Sequence, residues 1–148
     1  STQVVEDPNL EYGKSYVKQA GKNGKKENTY KIISENGVMV SRILLSTVIL
    51  SESQTRILVR GTNPLYTFYG SASHMSPGIY GKGGAAFRGY RGSTLRVTNL
   101  DNGKSALVKV VDYGPSRIDR IIDLSYDDFV ELKGSTGIMY NVRVDVLN

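Results

Sequence analysis

Hydrophobic and polar positions alternate along this chain in short stretches bounded by Gly, Asn, Asp and Pro, a pattern of β-strands rather than helices. Ser15 to Gln19 alternates and is followed by a turn at Gly21-Lys22-Asn23-Gly24. Thr29 to Ser34 reads as a strand and Val38 to Leu45 as its return. Between them lies Glu35-Asn36-Gly37, an Asn-Gly pair of the kind that type I′ hairpins favour. Thr55 to Arg60 closes this half, with Ile57 and Val59 alternating against Arg56, Leu58 and Arg60. The breaker cluster Gly61-Thr62-Asn63-Pro64 then marks a boundary, giving a module of residues 1–63 and a domain of residues 64–148. The first module has few aromatics and thin apolar strands, which predicts an elongated small β-sheet with little core.

The second half changes character. It holds ten of the thirteen aromatic residues and is expected to fold alone from Leu65 onward. Strands read at Tyr66 to Ser73, Thr94 to Asn99, Ala106 to Val111 and Asn141 to Leu147, with a hairpin turn at Asp101-Asn102-Gly103. Gly78 to Gly92 has no periodicity and reads as a loop, or a loop with one short strand. One helix is expected over Tyr126 to Lys133. Ser125 and Asp128 form a capping-box variant, Leu124 and Phe129 occupy hydrophobic-staple positions, and Gly134 ends it.

Composition narrows the function classes. There is no cysteine, so disulfides, thiolate metal sites and a cysteine nucleophile are excluded, and the single histidine, His74, leaves no two-histidine metal motif. No metal and no cofactor is expected. The net charge of +5 is spread thinly, nine basic against six acidic residues before Pro64 and ten against eight from there on. Only Lys22, Lys25 and Lys26 cluster, so nucleic acid is not the expected partner. A mild basic balance suits an anionic polymer such as a bacterial wall. Apolar runs such as Arg42 to Leu50 are far shorter than the roughly 20 residues of a membrane span. No charged-then-apolar leader precedes Val4, which fits a secretion signal removed before this sequence begins. A monomer is expected.

The second half resembles a known family. Gly70-Ser-Ala-Ser73, Ser93 to Lys104, Val111-Asp-Tyr-Gly-Pro115 and Arg120-Ile-Ile-Asp-Leu-Ser125 are similar, in order, to the double-psi β-barrel of the rare lipoprotein A family. Gly83-Gly-Ala-Ala-Phe87 resembles the first domain of bacterial expansins. The first half resembles the wall-associated module named for five glycines: Val4 to Pro8 matches its opening, and Gly13, Gly21, Gly24, Gly37 and Gly61 supply the glycines. Val40-Ser-Arg42 and Arg60-Gly-Thr62 fit its later motifs. The implied fold is mainly β, an elongated sheet module followed by a six-stranded double-psi β-barrel with one short helix. The implied protein is secreted to the bacterial cell wall, where it acts on peptidoglycan or another wall polysaccharide. Two activities fit, a lytic transglycosylase and a non-catalytic, expansin-like binder or wall-loosening protein.

Two carboxylates carry the candidate chemistry. Alternation places Val108, Val110 and Asp112 on one face, and a carboxylate ending an apolar row is expected to be partly desolvated, with a raised pKa suited to a general acid; the bland reading is a turn residue accepting backbone hydrogen bonds. Ile121, Asp123 and Ser125 share a face. Since Ser125 fills the cap, Asp123 is left for another role, either buried support of crossing loops or, as the resemblance implies, the expansin residue most needed for loosening. The resemblance makes Asp112 and Asp123 the catalytic candidates. Asp112 is the expected acid/base and Asp123 the electrostatic support, or the two with roles exchanged. The resemblance also puts the hydroxyl of Ser73 near Asp123 and the ring of Tyr113 in the groove. Tyr80 and Tyr90 are further sugar-stacking candidates and His74 a rim residue. The pattern departs from the family where Phe87 stands in place of a histidine, and in a shortened, less acidic segment between Gly81 and Gly83. Both departures weigh toward binding.

Overall fold

The computed structural model describes residues 1–148. Eleven strands and one helix follow in order: β1 (Thr2–Glu11), β2 (Ser15–Gln19), β3 (Lys25–Glu35), β4 (Val38–Ser51), β5 (Arg56–Asn63), β6 (Tyr66–His74), β7 (Gly84–Phe87), β8 (Thr94–Asn99), β9 (Ser105–Asp112), β10 (Ile122–Leu124), α1 (Tyr126–Lys133) and β11 (Met139–Val146). They divide into two compact units, residues 1–7 with 15–60 and residues 8–14 with 61–148. No helix is long and apolar enough to cross a membrane.

In the first unit β3 and β4 form a long antiparallel hairpin. Asn36 and Gly37 both have positive φ, 51° and 79°, which is the type I′ geometry expected of the Asn-Gly pair. The strands run well past the expected ends, and β4 carries an extra residue opposite Lys25/Lys26, Thr29/Tyr30 and Ile33/Ser34. β2 pairs with β5, and the sheet order is β1-β5-β2. Val59 is the one buried hydrophobic side chain before residue 61, so this unit has almost no core, as its thin apolar strands predict.

Two differences from the sequence reading have clear causes. Thr2–Glu11, not expected as a strand, is β1. Its irregular pattern alternates poorly because nearly every position is exposed. And Gly61 does not break the chain. The Gly61 amide donates to the Lys14 carbonyl and the Tyr12 amide to the Asn63 carbonyl, so β5 runs on to Asn63 and stops at Pro64.

The second unit is a closed barrel in the order β10-β6-β11-β8-β9-β7. Two of its pairings, β10 with β6 and β7 with β9, are parallel, and the rest are antiparallel. Its interior is filled by Leu95, Val97, Val108, Val110, Ile122, Leu124, Val142, Val144 and Val146, all at or below 2 % exposure. The segment entering β10 crosses over β6 at Gly70. A Cβ there would lie 2.6 Å from the Ile121 side chain, so only glycine lets the crossing chain sit this close. Helix α1 starts and ends as the sequence predicts. The Ser125 side chain accepts from the Asp128 amide, and Gly134 ends the helix in the left-handed conformation. The reciprocal half of the capping box is absent: the Asp128 carboxylate instead accepts from the Gly83 amide (2.6 Å) and the Ser125 hydroxyl (2.5 Å), while the Ser125 amide donates to the Gly84 carbonyl. The cap therefore anchors the loop before β7 to the helix.

Candidate functional site

Strand register assembles the site. Ser73 on β6 pairs with Asp123 on β10, Asp123 pairs with Ala86 on β7, and Ala86 pairs with Asp112 on β9. These four residues form one lateral row across four adjacent strands. Ser73 and Asp123 face away from the barrel interior, because their neighbours Ala72, Ile122 and Leu124 are buried core residues, and Asp112 is exposed. With strands about 4.8 Å apart, the Cα atoms of Asp112 and Asp123 are about 10 Å apart. Buried Ala86 lies between them in the row.

The Ser73 hydroxyl donates to Asp123 Oδ1 across the parallel pair. At the other end the Tyr113 amide donates to Asp112 Oδ1 (2.7 Å) and the Tyr80 hydroxyl to Asp112 Oδ2 (3.0 Å). Burial, this hydrogen bond and the negative charges of Asp112 and Asp123 push the Tyr80 phenol up to about 12. The Tyr80 phenol therefore keeps its proton and acts as a hydrogen-bond donor to Asp112.

Asp112 differs from expectation. It is exposed, and its pKa is lowered, first by the Tyr113 amide, then by the Tyr80 hydroxyl, with Arg91 adding a smaller attraction. The physical reason is a bulge. β9 pairs Val110 with Ala85 and Asp112 with Ala86, so Val111 is an extra residue, and the carboxylate leaves the apolar row that Val108 and Val110 define. Backbone and phenol donors there favour the ionised form. Asp112 is thus ionised at neutral pH, an acceptor and charge stabiliser rather than a ready proton donor.

The turn after Asp112 is pinned by a residue that sequence reasoning missed. Arg88, just past β7, donates to the carbonyls of Pro115, Arg117 (3.1 Å) and Arg120 (3.3 Å). Gly114 lies directly on it, with φ +68°, and a Cβ there would be 2.7 Å from the Arg88 amide nitrogen. The signal was present in the Asp-Tyr-Gly-Pro turn, which needs an anchor, but nothing in spacing names Arg88. Arg91 was missed too; its guanidinium lies 5.0 Å from the centre of the Tyr113 ring. Tyr113 is 70 % exposed beside the row, and exposed Ile118 follows in the same loop.

Of the candidate residues, the structure brings together Ser73, Asp123, Asp112, Tyr80 and Tyr113. Tyr90 and His74 lie elsewhere. Tyr90 is half-buried and packs against the barrel core through Phe68 (5.7 Å), Phe87 (5.4 Å) and Tyr66 (6.0 Å). His74 alternates to the opposite face from Ser73, packs on Phe129 (4.8 Å) and Tyr126 (5.4 Å) of α1, and donates from Nδ1 to the Met75 carbonyl (2.9 Å). Phe87, at the position where the resemblance places a histidine, is buried in the core. No group of three or more acidic or histidine residues is arranged to hold a metal ion.

Fold and site together define a β-protein in which a nearly coreless sheet unit accompanies a closed barrel bearing a carboxylate row. Residues 1–63 match the family model described as the G5 domain. The chain is also 65% identical over 34 residues to a protein named endolytic peptidoglycan transglycosylase RlpA from Pseudomonas aeruginosa, and 46% identical over 55 residues to one of the same name from Vibrio cholerae serotype O1. These matches cover 23% and 37% of this chain but only 10% and 21% of those relatives. Among solved structures, Streptomyces papain inhibitor aligns over 57% of this chain and 97% of its own, at 19% identity and a TM-score of 0.45.

Proposed function

We propose that the protein is exported to the bacterial cell wall and engages peptidoglycan glycan strands along the row Ser73–Asp123–Ala86–Asp112. The observation that carries this reading is the row itself, two carboxylate residues whose Cα atoms are about 10 Å apart with Ala86 between them. One ring of a glycan fits the gap, its hydroxyls donating to the carboxylates and its apolar face meeting the exposed Tyr113 ring. The G5 match over residues 1–63 and the short matches to proteins named peptidoglycan transglycosylases support the wall as the setting.

Two features favour recognition over cleavage. Asp112 is held ionised, and Phe87 fills with core packing the position where a histidine was expected. A second reading, lytic transglycosylase, is favoured by the presence of two carboxylates in one row. In that reading Asp123 protonates the glycosidic oxygen and then accepts the proton of the muramic acid hydroxyl that closes the anhydro ring, while ionised Asp112 stabilises the oxocarbenium-like centre. Incubation with purified sacculi separates the two. Recognition predicts co-sedimentation lost in Asp112→Asn/Asp123→Asn with no anhydro-muropeptides released. Anhydro products from the wild type, abolished by Asp123→Asn, would establish the second. Equal recovery in the supernatant with and without sacculi would remove both.

A further inference from the structure

On the barrel wall formed by β6, β11, β8 and β9, the outward-facing residues again follow from register. Tyr69 pairs with Arg143 and Arg143 with Thr98; Thr67 pairs with Asp145, Asp145 with Arg96 and Arg96 with Leu107; and Thr94 pairs with Lys109. Lys109, Arg96 and Arg143 therefore step diagonally across three strands, about 7–8 Å apart at each step, and end beside the exposed ring of Tyr69. The one carboxylate in this surface is Asp145. It is buried, accepts from the Thr67 hydroxyl at Oδ1 (2.8 Å), and meets Arg143 Nε at 3.2 Å and Arg96 Nε at 3.7 Å, both through Oδ2.

One arginine suffices to offset one carboxylate, so the second is surplus. Both present the Nε edge to Asp145, and neither guanidinium makes a hydrogen bond within the protein through its terminal nitrogens. The arginine side chains are 29% and 38% exposed although Nε of each is buried, so exposure falls on other atoms of the side chain. Lys109 is exposed with no side-chain partner. The stripe thus carries a surplus of two positive charges on planar, pre-oriented donors, the arrangement that suits phosphate oxygens.

We propose that the stripe Lys109–Arg96–Arg143 binds a linear, flexible phosphate polyanion that carries no bases. It is a second polymer site on the barrel and does not rest on the carboxylate row being the glycan site. A nucleic acid fits less well, because three cations fall short of the six to ten phosphate contacts of a typical duplex binder and one flanking ring is a poor stacking platform.

The test is fluorescence anisotropy of the full chain with labelled inorganic polyphosphate as the probe. The expected result is binding that weakens with salt, with a log–log slope of about 2 for three contacts to a flexible strand. Lys109→Gln/Arg143→Gln should weaken it at least tenfold, and Arg143→Lys should recover part of the loss. Lys25→Gln/Lys26→Gln, which removes most of the other basic cluster, should leave it unchanged. If Arg143→Gln lowers the melting temperature, Lys109→Gln alone carries the test, since that exposed side chain makes no hydrogen bond or ion pair. Unchanged binding by the stripe variants overturns the proposal, as does loss only in the Lys25/Lys26 variant. Tighter binding of oligothymidylate than of polyphosphate overturns the choice of ligand.

Discussion

Replacing Gly114 by alanine tests whether the Asp112 turn is held by its close approach to Arg88. The residue adopts φ +68°, which costs a side chain about 1–2 kcal/mol by itself. A Cβ would also stand 2.4 Å from Arg88 Cγ and 2.7 Å from the Arg88 amide nitrogen, against ordinary contact at 3.4–4 Å. The Cγ can swing away, but the backbone nitrogen begins the segment that follows β7 and cannot. Some 0.7 Å of backbone displacement then adds about 1–3 kcal/mol, in the range of other overpacked sites. Gly134→Ala supplies the control, because Gly134 has φ +83° but open space around its Cβ. Urea denaturation should show Gly134→Ala losing about 1–2 kcal/mol and Gly114→Ala at least about 1.5 kcal/mol more. Since Tyr113 and Asp112 precede Gly114 directly, the Tyr113 amide should also lose its hold on Asp112, and the carboxylate's pKa should rise toward its ordinary value. Equal losses for the two variants would refute the close-approach argument.

Other outcomes follow from the same geometry. Tyr80→Phe removes the second-largest cause of the low Asp112 pKa, so NMR titration of the Asp112 carboxyl should show its midpoint rising, while an unchanged midpoint would contradict the Tyr80 contact. Because folding lowers the Asp112 pKa, its contribution to stability is present above the ordinary value near 3.8 and is lost as pH falls through the lower folded value; glycan binding that depends on ionised Asp112 should therefore be flat between pH 7 and 5. Asp128→Ala leaves the Gly83 amide and Ser125 hydroxyl without their acceptor and should cost about 2–4 kcal/mol, with Asp128→Asn costing less, as measured by urea unfolding. Residues 65–148 alone should melt cooperatively, because the buried core cluster lies entirely within them; a non-cooperative melt would contradict an independent barrel.

The sequence revealed the barrel more readily than the geometry of its site. Alternation over Thr94–Asn99 and the caps at Ser125 and Gly134 located strands and helix closely, because local chemistry alone sets those ends. The row was legible only in part. Ser73 and Asp123 could be paired from the resemblance, but Ala86 looked like any strand alanine, and its place between two carboxylates depends on pairings far apart in sequence. The Asp112 environment was misread because alternation assumes an unbroken strand, and the bulge at Val111 reverses the outcome. His74 and Tyr90 were candidates by residue type. Their positions follow from packing on α1 and among Phe68 and Phe87, contacts that no spacing encodes.

The central claim is that glycan strands contact the barrel along Ser73–Asp123–Ala86–Asp112, and amide NMR titration of the full chain with soluble peptidoglycan fragments tests it most directly. The account predicts saturable shifts concentrated at Ser73, Tyr80, Ala86, Asp112, Tyr113 and Asp123, and absent from Asp112→Asn/Asp123→Asn. Saturable shifts gathered elsewhere, with the amides of that row unmoved, would contradict it.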